Sequence, residues 1–141
     1  MCKEKKIAIE KEIVKFFFQK KVRKRVEYEL FSKKKRDNAI VRLIAPEFSL
    51  EPATMHPIDG AEPDDVIRKL IELGASKNDA YIMNLGDEGQ YVTLDEAVNT
   101  AFLSGMPVIV YCGNGIGYAQ GELEVGPQSR FLLIAQNHSL L

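Results

Sequence analysis

Apolar residues recur along this chain in two rhythms, one of three to four residues and one of two, and the switches between them mark its elements. Ile9, Ile13, Phe16 and Phe17 stand at i, i+4, i+7 and i+8, which predicts a helix over 3–20 with lysines on much of its remaining surface. A period of two follows. Val26, Tyr28 and Leu30 alternate with Glu27, Glu29 and Phe31, and Ala39, Val41 and Leu43 alternate with Ile40, Arg42 and Ile44. The alternation predicts strands over 21–32 and 38–45, joined as a β-hairpin by a turn at 33–37. Helix through Leu30 is the competing reading, because V-R-K-R-V-E-Y-E-L also has fair helical propensity.

The stretch 46–62 carries no period and is rich in proline, so it reads as a long loop. Pro63 then opens a helix to Leu73, with Asp64 and Asp65 in its first turn, Val66, Ile67, Leu70 and Ile71 on one face, and Gly74 as its stop. Ala80 to Leu85 reads as a strand, 86–89 as a tight turn, and 90–92 as an extended lead into the clearest helix of the chain. That helix, 93–104, begins with Thr93-x-x-Glu96, the pattern of a capping box, presents Leu94, Ala97, Val98, Ala101 and Phe102 on one face, and stops at Gly105 and Pro107. Val108 to Cys112 is an apolar, β-branched run predicting a strand buried on both faces. Two more strands are expected over 117–125 and 129–136, with a frayed tail at 137–141.

The elements run α-β-β-α-β-α-β-β-β. They specify an α+β fold in a single domain spanning 1–141, with one mixed sheet of five or six strands and packed helices. Strand 80–85, helix 93–104 and strand 107–112 form an expected right-handed βαβ crossover.

Composition adds class and compartment. A 45% apolar and 28% charged chain of 141 residues has enough core to fold without staples, and no apolar run nears the ~20 residues that span a bilayer. M-C-K-E-K-K is followed by no clean apolar segment, and Cys2 and Cys112 make a poor disulfide framework. A soluble cytoplasmic protein with two free thiols is expected. The net charge of −1 conceals a division: residues 1–42 hold 15 Lys and Arg against 6 Asp and Glu, and residues 43–141 hold 4 against 14. Such asymmetry points to a protein partner or self-association, or to attraction between the two halves within the fold. Lys33, Lys34, Lys35 and Arg36, with Arg23 and Arg25 near the base of the expected hairpin, are the candidate contacts for an anionic partner. Nucleic acid is a lesser alternative, since no base-reading motif accompanies them.

Catalytic signals are sparse. Cys112-Gly113-Asn114-Gly115-Ile116-Gly117 ends a strand with cysteine and a glycine loop, and in this it resembles the active-site segment of rhodanese-like and cysteine-phosphatase domains. The resemblance implies a thiolate at Cys112 cradled by backbone N–H groups. It departs at Gly117, where those families carry arginine, and at Y-A-Q-G-E-L-E-V, where they carry a helix. Asn114-Gly115 is equally the signature of a hairpin turn. His56, in the long loop, is the accompanying candidate base. No zinc or nucleotide motif is present, so no metal or cofactor is expected. The expected function is therefore a non-enzymatic binding or regulatory module that recognises a partner by charge, with a small Cys112 enzyme or a weak RNA or DNA binder through 20–36 as alternatives.

Overall fold

The computed structural model describes residues 3–42, 49–58, 60–86, 88–121 and 128–136. Its helices are α1 (Lys3–Phe17), α2 (Arg23–Leu30), α3 (Arg36–Val41), α4 (Pro63–Glu72) and α5 (Leu94–Ser104). Its strands are β1 (Met55–Pro57), β2 (Ala80–Asn84), β3 (Gln90–Val92), β4 (Val108–Tyr111), β5 (Ile116–Gln120) and β6 (Arg130–Ile134). They form one sheet in the order β1-β6-β5-β4-β2-β3, with every neighbouring pair antiparallel. The α+β class is as expected, but the sheet is antiparallel throughout rather than mixed.

Alternation along the strands feeds two cores. Tyr81, Met83, Ile109, Tyr111, Ala119 and Leu133 point to one face and pack with Ile13, Val14, Phe17, Val26, Leu30 and Ile40 of α1–α3. Ile82, Val108, Val110, Tyr118 and Leu132 point to the other and pack with Val66 and Leu70 of α4 and Leu94, Ala97, Val98 and Ala101 of α5. β4 is thus buried on both faces, as its apolar run requires. Burying one such large apolar side chain contributes about 1.5–3 kcal/mol, so the two helical layers hold the sheet from either side.

The hairpin expected over 21–45 is not formed. Residues 23–30 and 36–41 are helices, and the residues that go inside, Val22, Val26, Glu29 and Leu30, recur at i, i+4, i+7 and i+8. Alternation mattered less than the helical spacing of these four. Residues 43–45 of the second expected strand lie outside the described residues.

The crossover also differs from expectation. β3 turns back beside β2, so the chain has reversed before α5 begins, and α5 carries it over β2 to β4. The parallel pair joined by α5 is therefore β3 and β4, with β2 inserted between them. In the long loop, Pro52–Thr54 makes a 3-10 turn and Met55–Pro57 pairs with β6, so part of this aperiodic stretch is sheet. The ends of α5 follow the sequence in part: the Thr93 hydroxyl accepts from the Glu96 N–H at 3.2 Å, and Gly105 closes the helix at φ 64°. At that closing end the fully buried Gln120 side chain donates to the Ala101 and Met106 carbonyls, at 2.6 and 2.8 Å.

Candidate functional site

Two features of the helical layer over α1–α3 stand out: a buried polar cluster and an exposed basic surface. Glu10 lies on the inner stripe of α1 with Ile13, Val14 and Phe17, an unusual place for a carboxylate. Three donors accompany it inside. Arg36, at the start of α3, reaches both of its oxygens at 2.7 Å, and the Tyr81 hydroxyl of β2 donates at 2.6 Å. Arg36 also donates to the Leu30 carbonyl at 3.1 Å. Burial works against the Arg36 charge, but the hydrogen bond and charge of Glu10 outweigh it and hold the guanidinium more firmly protonated than usual. Burial, and then Glu10, push the Tyr81 phenol well above its ordinary range, so it serves as a donor and not as a base. The cluster ties α1, α3 and β2 into one unit.

Gly89, beside β3, lets the backbone close over this cluster, since a Cβ there would collide with the Tyr81 hydroxyl and come within 2.7 Å of Glu10 Oε2. A second carboxylate–guanidinium pair, Glu29 with Arg42, joins α2 to the end of α3. A third carboxylate, Glu12, accepts from the Tyr111 hydroxyl, which in turn accepts from the Gly115 N–H at 3.2 Å.

These pairings redistribute the charge that the sequence concentrates in residues 1–42. Glu10 and Glu29 are consumed inside, and only Glu4 and Asp37 remain as exposed carboxylates in 3–42, against eleven exposed Lys and Arg side chains. Of the four ion pairs among the described residues, one, Lys6 with Glu88, crosses the division between the basic and acidic parts. Among the described residues, that single pair is the direct salt link between the two parts. The acidic first turns of α4 and α5 lie across the sheet from the basic helices.

The six candidate cations separate into two groups. Lys33, Lys34, Lys35 and Arg25 are exposed, and Lys35 lies over the Tyr28 ring, 4.9 Å from its centroid. Arg36 is turned inward on Glu10, and Arg23 donates through Nε to the Phe18 carbonyl at 3.0 Å. Sequence reasoning missed Glu10 and Tyr81 as a pair with Arg36. One signal was present: Glu10 falls at i−3 and i−4 from Ile13 and Val14, on the apolar stripe.

Cys112 and His56 are placed far apart. His56 pairs with Leu132, Leu132 with Tyr118, and Tyr118 with Val110, so His56 lies three strands from β4. That is about 14 Å before the further two residues to Cys112 are added. His56 is exposed on the first strand of the sheet. Cys112 lines a cavity of about 380 Å³ with Tyr91, Tyr111 and Asp79, and burial pushes its thiol up to about 12. The Gly113–Gly117 loop is a hairpin turn: Cys112 N–H donates to Ile116 at 2.8 Å, and Asn114 and Gly115 both have positive φ, at 53° and 76°. At Gly117 a Cβ would meet the Val110 carbonyl oxygen at 2.5 Å, so no side chain fits where the resembled families carry arginine.

Among the described residues no group of three His, Cys, Asp or Glu side chains is arranged to hold a metal ion, and no helix is long and apolar enough to cross a membrane. Compared with known protein families, characterised proteins and solved structures, the chain matches none.

Proposed function

We propose that the protein is a non-enzymatic binding module whose α1–α3 layer docks on an acidic protein partner. The observation that carries this reading is the exposed balance of eleven cations against two carboxylates in residues 3–42. The acidic helices stand on the other face of the sheet, and charges further apart than the Debye length of about 8 Å at physiological salt are largely screened, which favours an electrostatically open surface here. A strong excess of one sign over a layer steers an oppositely charged protein and speeds its encounter. The pairing of Arg36 with Glu10 withdraws one cation of the 20–36 segment and the bond from Arg23 to the Phe18 carbonyl fixes another, which favours a broad protein surface over a compact phosphate-binding cluster.

The test is affinity capture at low and high salt with the wild-type chain and a Lys11→Glu, Lys15→Glu, Lys24→Glu variant. Acidic proteins should be retained by wild type, released by salt and not retained by the variant. Retention that ignores both salt and charge reversal would overturn the reading, as would retention of nucleic acid alone.

A further inference from the structure

A cavity of about 460 Å³ opens where the first turns of α1, the α2–α3 corner and the backbone before β3 converge. Its size falls within the range that holds small molecules. Four of its lining side chains are cations, Lys3, Lys6, Lys33 and Arg36, and three are apolar, Ile7, Leu30 and Phe31. Phe31 is 40% exposed, a large aromatic surface left open to solvent at the rim of a basic pocket.

The carboxylates of the cavity do not neutralise it. Glu10 is committed to Arg36 and Tyr81. Glu88, 81% exposed, is held by Lys6 at 3.1 Å in a solvent-screened surface pair, which an incoming anion can displace. The hydrogen bond from Lys6, with the charges of Lys6, Lys33 and Arg36, keeps the Glu88 carboxyl below its usual range, so the positive potential is felt there. Lys3 and Lys33 make no hydrogen bond or ion pair among the described residues. Among the described residues, Arg36 keeps one buried N–H, that of Nε, without an acceptor, where most buried polar groups are satisfied.

From these observations we infer that the cavity is a binding site for a small amphipathic anion, with an acidic group held by Lys3, Lys6 and Lys33 and an aromatic or aliphatic body against Ile7, Leu30 and Phe31. The site takes a small molecule where the proposed function takes a protein, and it is testable without that partner. Charge alone would hold any anion, and apolar wall alone any hydrophobe. The two together select for molecules that carry both.

The experiment is a titration of the 15N-labelled protein followed by NMR, using phenyl phosphate, inorganic phosphate and phenol as probes. Phenyl phosphate should shift the amides of Ile7, Phe31 and Gly89 saturably and bind more tightly than either fragment. A Lys3→Ala, Lys33→Ala variant should weaken it about tenfold or more, equivalent to about 1.4 kcal/mol. Lys15→Ala, Lys24→Ala removes the same charge outside the cavity and should change the affinity by no more than about twofold. Absence of saturable shifts would overturn the inference. So would equal weakening by the two double variants, which marks diffuse charge, or equal affinity for either fragment, which removes one half of the recognition.

Discussion

Both oxygens of Glu10 are held by the guanidinium of Arg36, each at 2.7 Å, across 26 residues of chain. Removing one partner of a buried pair strands the other charge, at a cost of about 3–5 kcal/mol, while replacing both by apolar residues is often nearly neutral. Glu10→Gln and Arg36→Met should each lower the urea midpoint strongly at constant m-value. The Glu10→Met, Arg36→Met double variant should recover much of the loss. Additive losses in the double variant would show that the two side chains act independently.

A glycine that looks ordinary by its backbone should prove intolerant. Gly117 lies in β5, and a Cβ there would be 2.5 Å from the Val110 carbonyl oxygen, a backbone atom that cannot move without opening the β4–β5 pairing. Gly117→Ala should cost about 1–3 kcal/mol, within the range for overpacking. Circular dichroism melts of Gly117→Ala and wild type would check this, and an unchanged melting temperature would show that the two strands can separate locally at no cost.

The cap of α5 separates two residues that the sequence presents as partners. Thr93 accepts the Glu96 N–H, so Thr93→Ala should lose about 1 kcal/mol. The reciprocal bond, in which the Glu96 carboxylate would accept from the Thr93 N–H, is not formed among the described residues, so Glu96→Ala should leave the urea midpoint close to wild type. Equal losses in the two variants would restore the full capping box.

Alkaline pH should weaken the fold, partly through Cys112. Its thiol is raised to about 12 by burial, against about 8.5 in an open chain. Burial favours the neutral form, so this stabilisation is whole below about pH 8.5 and is lost as pH climbs towards 12. Tyr118, pushed from 10.0 to about 12 mainly by burial, adds a loss of the same sign above pH 10. Urea midpoints should hold steady from about pH 7 to 8 and fall from about pH 9, and in Cys112→Ala the fall should begin nearer pH 10. An identical onset in the variant would assign the loss to the tyrosines alone.

The chain shows its local order in sequence far better than its long-range pairings. α4 and α5 are readable because start, period and stop coincide in each, β2 and β4 because each is a short apolar run bounded by turn residues, and Asn114-Gly115 announces its turn. The 21–45 stretch was misleading because Val26, Tyr28 and Leu30 alternate, yet Tyr28 is 63% exposed and Val41 52% exposed, so neither belongs to a buried face. The direction of β4 depended on whether the three residues of β3 pair back on β2, which no local spacing states. The candidate site was half legible: the excess of cations is plain in the composition, but which of them turn inward depends on carboxylates a helix or more away. A run such as Lys33 to Arg36 reads as four equal charges until the fold gives one of them a partner.

Among the described residues the sheet ends on both sides in strands of only three residues, β1 and β3, and β1 closes with Pro57. A short border offers few free N–H and C=O groups, and proline removes one donor outright. A second chain therefore finds little ladder to extend at either margin, which disfavours runaway stacking of copies through their backbones. The broad surfaces left for association are the side-chain faces of the helices, and a contact made there is set by sequence, not by the backbone that all chains share.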